Sequence, residues 1–190
     1  VVNALSTKLN VKIKRDSQEY EINFSAGDKD NDLKPIGDVG ATNSGTSIRF
    51  YPDKQYFETL NINKKSLKHL LKAKAVLCPG LQIDYFDEKK NERIKWIFDE
   101  GLSDYLDEFS GCNEKLLDET IILSKTSDDQ ALDVAVNWTE EVSNNLLKET
   151  FVNLIPTALG GAHLNGFKSG LLEAIKEFCD YRNLIPKGIK

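Results

Sequence analysis

The chain has 190 residues, of which 40% are hydrophobic and 29% are charged, and its formal net charge is −5. This balance is typical of a globular protein, and the negative charge means that any contact with nucleic acid must come from a local basic patch. Three cysteines without CxxC spacing predict neither a zinc site nor a disulfide framework. No apolar run is long enough to span a membrane and no signal peptide is found, so we expect no membrane partner and a location in the cytoplasm.

Alternating apolar residues and turn signals predict strands and one amphipathic helix in the first half of the chain. Ser66 is the predicted N-cap of that helix, and Pro79–Gly80 is its predicted stop. Strands beside a helix predict a two-layer α/β arrangement. The predicted elements are the end of a buried helix (Val1–Leu5), strands Val11–Arg15 and Tyr20–Phe24, an exposed loop (Ser25–Pro35), strand Ser47–Tyr51, helix Leu67–Leu77 and a hairpin of strands Leu81–Phe86 and Glu92–Asp99.

A domain boundary is predicted at Glu100–Gly101, after which short elements lead to a long helix. The residues Gly160–Gly161–Ala162–His163 precede that helix, whose Phe167, Leu171, Ile175 and Phe178 recur at helical spacing. The elements predicted here are helix Leu102–Phe109, strands near Glu119–Leu123, at Leu132–Trp138 and at Thr150–Ile155, and the final helix.

The segment Gly37–Asp53 (GDVGATNSGTSIRFYPD) is a glycine-rich approach to a strand. Alternation places Thr46, Ile48 and Phe50 on one face of that strand. A hydroxyl beside an apolar shelf suits a flat heterocycle that needs one polar contact. A hairpin turn with a half-buried strand explains the same residues, and the strand alone leaves both interpretations open.

One basic run stands out in this acidic chain. Lys65, Lys68 and Lys72 share a helix face and are candidates for contact with DNA phosphates. A solvated outer face of the helix explains these lysines equally well.

The glycine-rich turn Gly160–His163 has the backbone freedom to bind an anion at a helix start, but it lacks the Gly-Lys-Ser/Thr ending of a P-loop. A structural strand-to-helix turn with a packed or capping His163 is the simpler interpretation. The chain shows no Ser-His-Asp order, no HExxH pair and no convincing carboxylate pair. From its residues alone, it contains no complete active site, no catalytic residue and no metal site.

Four stretches together resemble one family, the ATPase subunits of bacterial type IIA DNA topoisomerases. They are VVNALS (Val1–Ser6), SGTSIRFYPD (Ser44–Asp53), LKAKAVLCPG (Leu71–Gly80) and FVNLIPTALGGAHLNGFKSGLLEAIKEFC (Phe151–Cys179). The resemblance covers essentially the whole chain in the same order. The stretch KAKAVLCPG is more similar to the topoisomerase IV B branch of the family than to the gyrase B branch.

The resemblance implies an α+β fold: the C-terminal half of a GHKL-type two-layer ATPase domain (1–99), followed by most of a transducer domain (100–190). It implies a left-handed βαβ crossover in the transducer, although such crossovers are otherwise almost always right-handed. It places Gly45 and Thr46 at an adenine pocket, with Ile48 as an apolar wall and Arg15 at the edge.

The family also implies function. Its members use ATP and Mg²⁺ to close a dimeric clamp on DNA, act with a DNA-cleaving A subunit, and relax and decatenate DNA in the bacterial nucleoid during chromosome segregation. The family's catalytic Glu, Mg²⁺-binding Asn, ATP lid and Gln-Thr-Lys loop have no counterpart here. We therefore expect a piece of such a subunit that neither hydrolyses ATP nor binds it tightly alone.

Three alternatives remain beside this interpretation. The chain could belong to a gyrase B subunit. It could be a stand-alone α+β module that binds nucleic acid through Lys65, Lys68 and Lys72. It could also be a structural interaction domain in which Gly45–Thr46 is only a turn.

Overall fold

A computed structural model of the chain describes residues 1–110, 115–139 and 148–184. Its residues group into two compact units, Val1–Leu67 and Lys68–Lys190. No helix in the described part of the chain is long and apolar enough to cross a membrane.

The first unit is a five-stranded antiparallel sheet. The strand order is β3-β2-β1-β5, and β4 also pairs with β2. Asp16 and Ser17 form the β1–β2 turn with φ of 53° and 63°, the left-handed values that a tight hairpin requires. The strands are β1 (Ser6–Arg15), β2 (Gln18–Ser25), β3 (Asp28–Lys29), β4 (Lys34–Asp38) and β5 (Gly45–Pro52).

Two predictions for this unit are wrong in part. The segment predicted as an exposed loop, Ser25–Pro35, contains β3 and the beginning of β4, because both pair with β2. The segment predicted as the end of a buried helix, Val1–Leu5, is a single turn in which Leu5 N donates to Val1 O.

The second unit begins within helix α1 (Lys64–Leu77), which starts earlier than predicted. Asn63 Oδ1 accepts from Ser66 N at 3.1 Å, so Asn63 performs the N-cap role that we predicted for Ser66. Strands β6 (Ile83–Asp87) and β7 (Glu92–Trp96) form the predicted hairpin.

A small hydrophobic core joins α1, the β6–β7 hairpin and helix α2 (Leu102–Ser110). Ala75, Val76 and Phe98 are its buried members. It crosses the position at Glu100–Gly101 where the sequence predicts a domain boundary; that boundary stays a prediction. Ile83, Trp96, Leu102 and Tyr105 pack against this core.

The remaining elements are two antiparallel hairpins and a long helix. They are β8 (Ile121–Thr126) with β9 (Ala131–Val136), β10 (Phe151–Val152) with β11 (Ile155–Pro156), and α3 (Ala162–Tyr181). The single strand predicted at Thr150–Ile155 is wrong, because Asn153 and Leu154 have φ of 47° and 67° and reverse the chain. All strand pairings in the described ranges are antiparallel, and the βαβ crossover stays a prediction.

Candidate functional site

The threonine-bearing strand β5 lies beside β1 in a register that builds one continuous apolar face. Ile13 is opposite Thr46 and Val11 is opposite Ile48. Because side chains alternate along each strand, Thr46 and Ile48 point to the same face as these partners. The rows of this face are Leu9–Phe24–Phe50, Val11–Ile22–Ile48 and Ile13–Tyr20–Thr46.

Arg15 belongs to the same face at the end of β1, two residues beyond Ile13. Its Nε donates to Asp16 Oδ2 at 2.9 Å, and both side chains are largely exposed. The fold therefore brings Thr46, Ile48 and Arg15 to one end of one sheet face, and Gly45, opposite Lys14, is the residue at which β5 begins.

The part of this face that β5 contributes is open to solvent, whereas Leu9 of β1 is buried. Ile48 is 60% exposed and Thr46 is exposed as well. Two clefts of this unit lie elsewhere, one against Thr7 and Tyr51 and one on the polar side of the sheet. The described residues thus form one open surface that carries the hydroxyl group of Thr46, and they do not form an enclosed pocket.

The polar side of the sheet contains a ladder of hydrogen bonds. Asn10 Nδ2 lies 2.9 Å from Glu21 Oε1 and 2.7 Å from Asn23 Oδ1. The bond from Asn10, reinforced by the nearby charge of Lys12, lowers the pKa of Glu21 despite some desolvation. Arg49 of β5 lies opposite Asn10 on this side, away from Thr46.

Two of the three predicted DNA-contact lysines already have intramolecular partners. Lys68 Nζ lies 2.7 Å from Glu92 Oε2, and Lys72 Nζ lies 2.7 Å from Glu108 Oε1. Their side chains are only 26% and 24% exposed. Lys65 is exposed on the same helix. DNA contact by these lysines stays a prediction, with ion pairing as a competing role for the first two.

A cluster around Glu149 unites three segments that are distant in sequence. Tyr105 OH donates to Glu149 Oε1 at 3.1 Å, and His69 Nε2 lies 3.4 Å from the same oxygen. Burial, followed by the charge of Glu149 and its hydrogen bond, raises the pKa of Tyr105 to about 12. Sequence reasoning missed this cluster because no local pattern connects α1, α2 and residue 149.

The glycine-rich turn joins β11 to α3, as its simpler interpretation predicts, but the packed or capping role predicted for His163 is wrong. Gly160 has φ of 76°, and a Cβ on Gly161 would lie 3.0 Å from the His163 ring. His163 is exposed, and its Nε2 lies 3.2 Å from Thr157 Oγ1, so it is neither packed in a core nor a helix cap.

The described ranges hold no group of three or more His, Cys, Asp or Glu side chains that could bind a metal ion. One of the described carboxylates, Asp107, forms an ion pair with Lys115, and the hydrogen bond from Lys115 lowers the pKa of Asp107.

Comparison with known proteins identifies the family. The DNA gyrase B family model matches residues 101–190. The topoisomerase 4 B subunit of Pseudomonas aeruginosa is 46% identical over 190 residues, which are 100% of this chain and 30% of that protein. The gyrase B subunit of Haloferax volcanii is 30% identical over 192 residues, which cover 97% of this chain and 29% of that protein.

A solved structure agrees over the full length. The topoisomerase IV ATP-binding domain of Francisella tularensis, in complex with a small-molecule inhibitor, is 43% identical with a TM-score of 0.77, and the match covers 100% of this chain and 50% of that one. This chain spans about 30% of the length of its curated relatives. The mixed α/β architecture, the whole-chain identity and the family match together show that the chain is homologous to the B subunits of topoisomerase IV and gyrase, and that it is more similar to the B subunit of topoisomerase IV than to that of gyrase.

Proposed function

We propose that this chain supplies the adenine-facing wall and the relay elements of an ATP-driven topoisomerase IV B subunit. The observation that carries the proposal is the placement of Thr46, Ile48 and Arg15 at one end of one sheet face, in a chain 43% identical to a topoisomerase IV ATP-binding domain. The predicted nucleotide-binding residues are thus neighbours in the fold.

Each of these side chains has a task in binding that its chemistry suits. The Thr46 hydroxyl can donate to or accept from a ring nitrogen or a bridging water, and it keeps this capacity because no hydrogen bond occupies it in the described contacts. Ile48, 60% exposed, offers apolar surface to one face of the base. Arg15 supplies a cation at the edge, held by Asp16 at 2.9 Å.

The residues present fit the adenine side of ATP better than its magnesium-bound phosphates. No cluster of metal-ligating side chains is found in the described ranges. The catalytic Glu and the Mg²⁺-binding Asn that the family resemblance implies have no counterpart in this chain, and on that ground we propose that this chain alone does not hydrolyse ATP.

The substitution Thr46→Val, made in the full-length subunit, tests the pocket. Valine keeps the shape of threonine and removes only the hydroxyl. We expect the Kd of a non-hydrolysable ATP analogue to rise by about 5-fold, the value of one hydrogen bond of about 1 kcal/mol. Isothermal titration measures this change.

Two control variants test whether a change in Kd comes from the Thr46 hydroxyl itself. Thr46→Ser retains the hydroxyl and should bind within about twofold of wild type. Ser47→Ala removes a hydroxyl from the opposite side of the same strand, opposite Lys12, and should leave the Kd unchanged. Equal loss in Ser47→Ala and Thr46→Val would refute an adenine contact at Thr46.

At the level of the whole subunit, we propose the bacterial nucleoid as the place of action, with DNA, a second copy of the subunit and a DNA-cleaving A subunit as partners. ATP-dependent decatenation by the reconstituted enzyme without negative supercoiling would support topoisomerase IV. Supercoiling activity would instead identify a gyrase.

A further inference from the structure

The hairpin formed by residues 149–157 makes polar contacts in two directions. We call these residues the connector hairpin; they comprise Glu149, Thr150, the strands β10 and β11 with their turn, and Thr157. The two strands pair through Phe151–Pro156 and Val152–Ile155, and Thr157 N donates to Thr150 O at 2.8 Å, so the hairpin is short and is closed at its base.

On one side, the connector hairpin is bound to α1 and α2. Lys74 Nζ donates to Leu154 O at the tip of the hairpin. At its base, Glu149 Oε1 accepts from Tyr105 OH at 3.1 Å and lies 3.4 Å from His69 Nε2. The Glu149 side chain is 22% exposed and its bond to Tyr105 is partly buried, whereas His69 is 57% exposed.

On the other side, the connector hairpin is bound to the start of α3. Thr150 Oγ1 donates to Thr157 O at 3.0 Å, which closes the base. Thr157 Oγ1 lies 3.2 Å from His163 Nε2, and Thr157 O accepts from Gly160 N at 2.8 Å. A Cβ on Gly161 would crowd the His163 ring at 3.0 Å, so glycine lets the ring take this position.

The tip of the connector hairpin is strained. Leu154 has φ of 67°, a left-handed conformation that is unfavourable for a residue with a side chain. Such strain persists only where surrounding contacts over-determine the backbone. Here the contact from Lys74 acts on the carbonyl of the strained residue itself.

We propose that the connector hairpin is a positioning element that transmits movement of α1 to the N-terminus of α3. This inference rests on the proposed function, in which nucleotide binding moves the ATPase part of the subunit. Lys74 and His163 are its two end contacts, one on each helix, and neither is placed in the nucleotide pocket. A displacement of Lys74 is transmitted to His163 because the polar contacts of the connector hairpin connect these two residues in one contiguous path.

The full-length subunit, assembled with its A subunit, is the material for the test. The variants are Lys74→Met, His163→Leu and the double variant. We expect each single variant to reduce decatenation events per ATP hydrolysed by about tenfold, within the usual range of coupling between sites. The Kd of the ATP analogue should stay within about twofold of wild type, because the pocket residues are unchanged.

The double variant should be no worse than either single variant, because both break the same path. Lys74→Arg and His163→Gln keep a donor within reach and should restore most of the coupling. Lys168→Met, an exposed lysine of α3, is the matched control and should behave as wild type. Unchanged coupling in the single variants, or additive losses in the double variant, would overturn the proposal.

Hydrogen exchange tests this inference independently of the proposed function. In Lys74→Met, the amides of Gly160 and Asn165, which donate to Thr157 O and Gly161 O, should exchange faster than in wild type. If wild type binds no ATP analogue, the proposed function fails, and faster exchange at these amides still supports the mechanical link. Unchanged exchange at these amides would refute the mechanical link, whether or not the wild-type subunit binds the ATP analogue.

Discussion

Tyr105 shows how the fold changes the chemistry of a single residue. Its ring packs against the core at an edge-to-face angle of 89° to Phe98, and its hydroxyl donates to Glu149 at 3.1 Å. Burial of the phenol disfavours its ionised form, and loss of the phenolic proton would also place a second negative charge beside Glu149. For this reason the pKa of Tyr105 rises from 10.0 to about 12.

The raised pKa of Tyr105 predicts a loss of stability at alkaline pH. Between pH 10.0 and about 12 the folded residue keeps its proton while the unfolded one loses it, so the free energy of unfolding falls as pH rises through this window. Tyr105→Phe should flatten that part of the profile, as measured by urea unfolding of the full-length subunit. An equally steep decline in Tyr105→Phe would show that another group is responsible.

Among the secondary-structure elements, the β2–β3 turn departs from the residues that its geometry favours. Ala26 and Gly27 are its two central residues, with φ of 49° and 91°. A two-residue hairpin turn with both φ values positive prefers Asn-Gly, because asparagine tolerates the left-handed region better than alanine.

The geometry of this turn predicts one stabilising and one destabilising substitution. Ala26→Asn should raise the free energy of unfolding by about 0.5–1 kcal/mol, because Ala26 is exposed and only its backbone strain changes. Gly27→Ala should lower it by about 1 kcal/mol or more, because a φ of 91° is strained for a residue with a side chain, although the new Cβ would make only an ordinary contact of 3.4 Å with Ala4 Cα. Chemical denaturation measures both, and a stabilised Gly27→Ala would contradict the turn geometry.

The start of α1 shows that local sequence signals do not always specify the N-cap of a helix. Ser66 and Asn63 are both good N-cap residues, and the leucine pattern that begins at Leu67 favours Ser66. The structure starts the helix at Lys64, where Asn63 can bond Ser66 N at 3.1 Å. Two suitable caps three residues apart leave the first turn undecided, because the local pattern does not specify which of them the folded backbone uses.

Across the molecule as a whole, the ion pairs of α1 compete with the DNA-contact hypothesis. Lys68 also lies 5.3 Å from the centre of the Tyr85 ring, and Lys72 lies 5.2 Å from that of Tyr105. A lysine that is held by a carboxylate and an aromatic ring must give up these contacts to reach a phosphate.

We therefore expect Lys68→Met and Lys72→Met to affect stability more than DNA binding. Each should lower the free energy of unfolding of the full-length subunit by about 0.5–1 kcal/mol. The slope of log K for DNA against log salt concentration should stay as in wild type, whereas loss of a phosphate contact would reduce it by about one unit. Lys65→Met is the comparison variant, because Lys65 lies on the same helix and is exposed. A reduced slope in Lys68→Met or Lys72→Met would favour DNA contact instead.

The order of residues was enough to predict the family, the hairpins β1–β2 and β6–β7, the shared face of Thr46 and Ile48, and the start of α3. The family follows from the resemblance of four stretches, whereas the structural features follow from local signals: the two-residue repeat of a strand, paired turn residues, and glycines before a helix. The Glu149 cluster, the partners of Lys68 and Lys72, and the reversal of the chain at Asn153–Leu154 became visible only in the folded molecule. The partners in such contacts are 24 to 80 residues apart, as in Lys68–Glu92 and Lys74–Leu154, and no local propensity specifies which distant segments will meet.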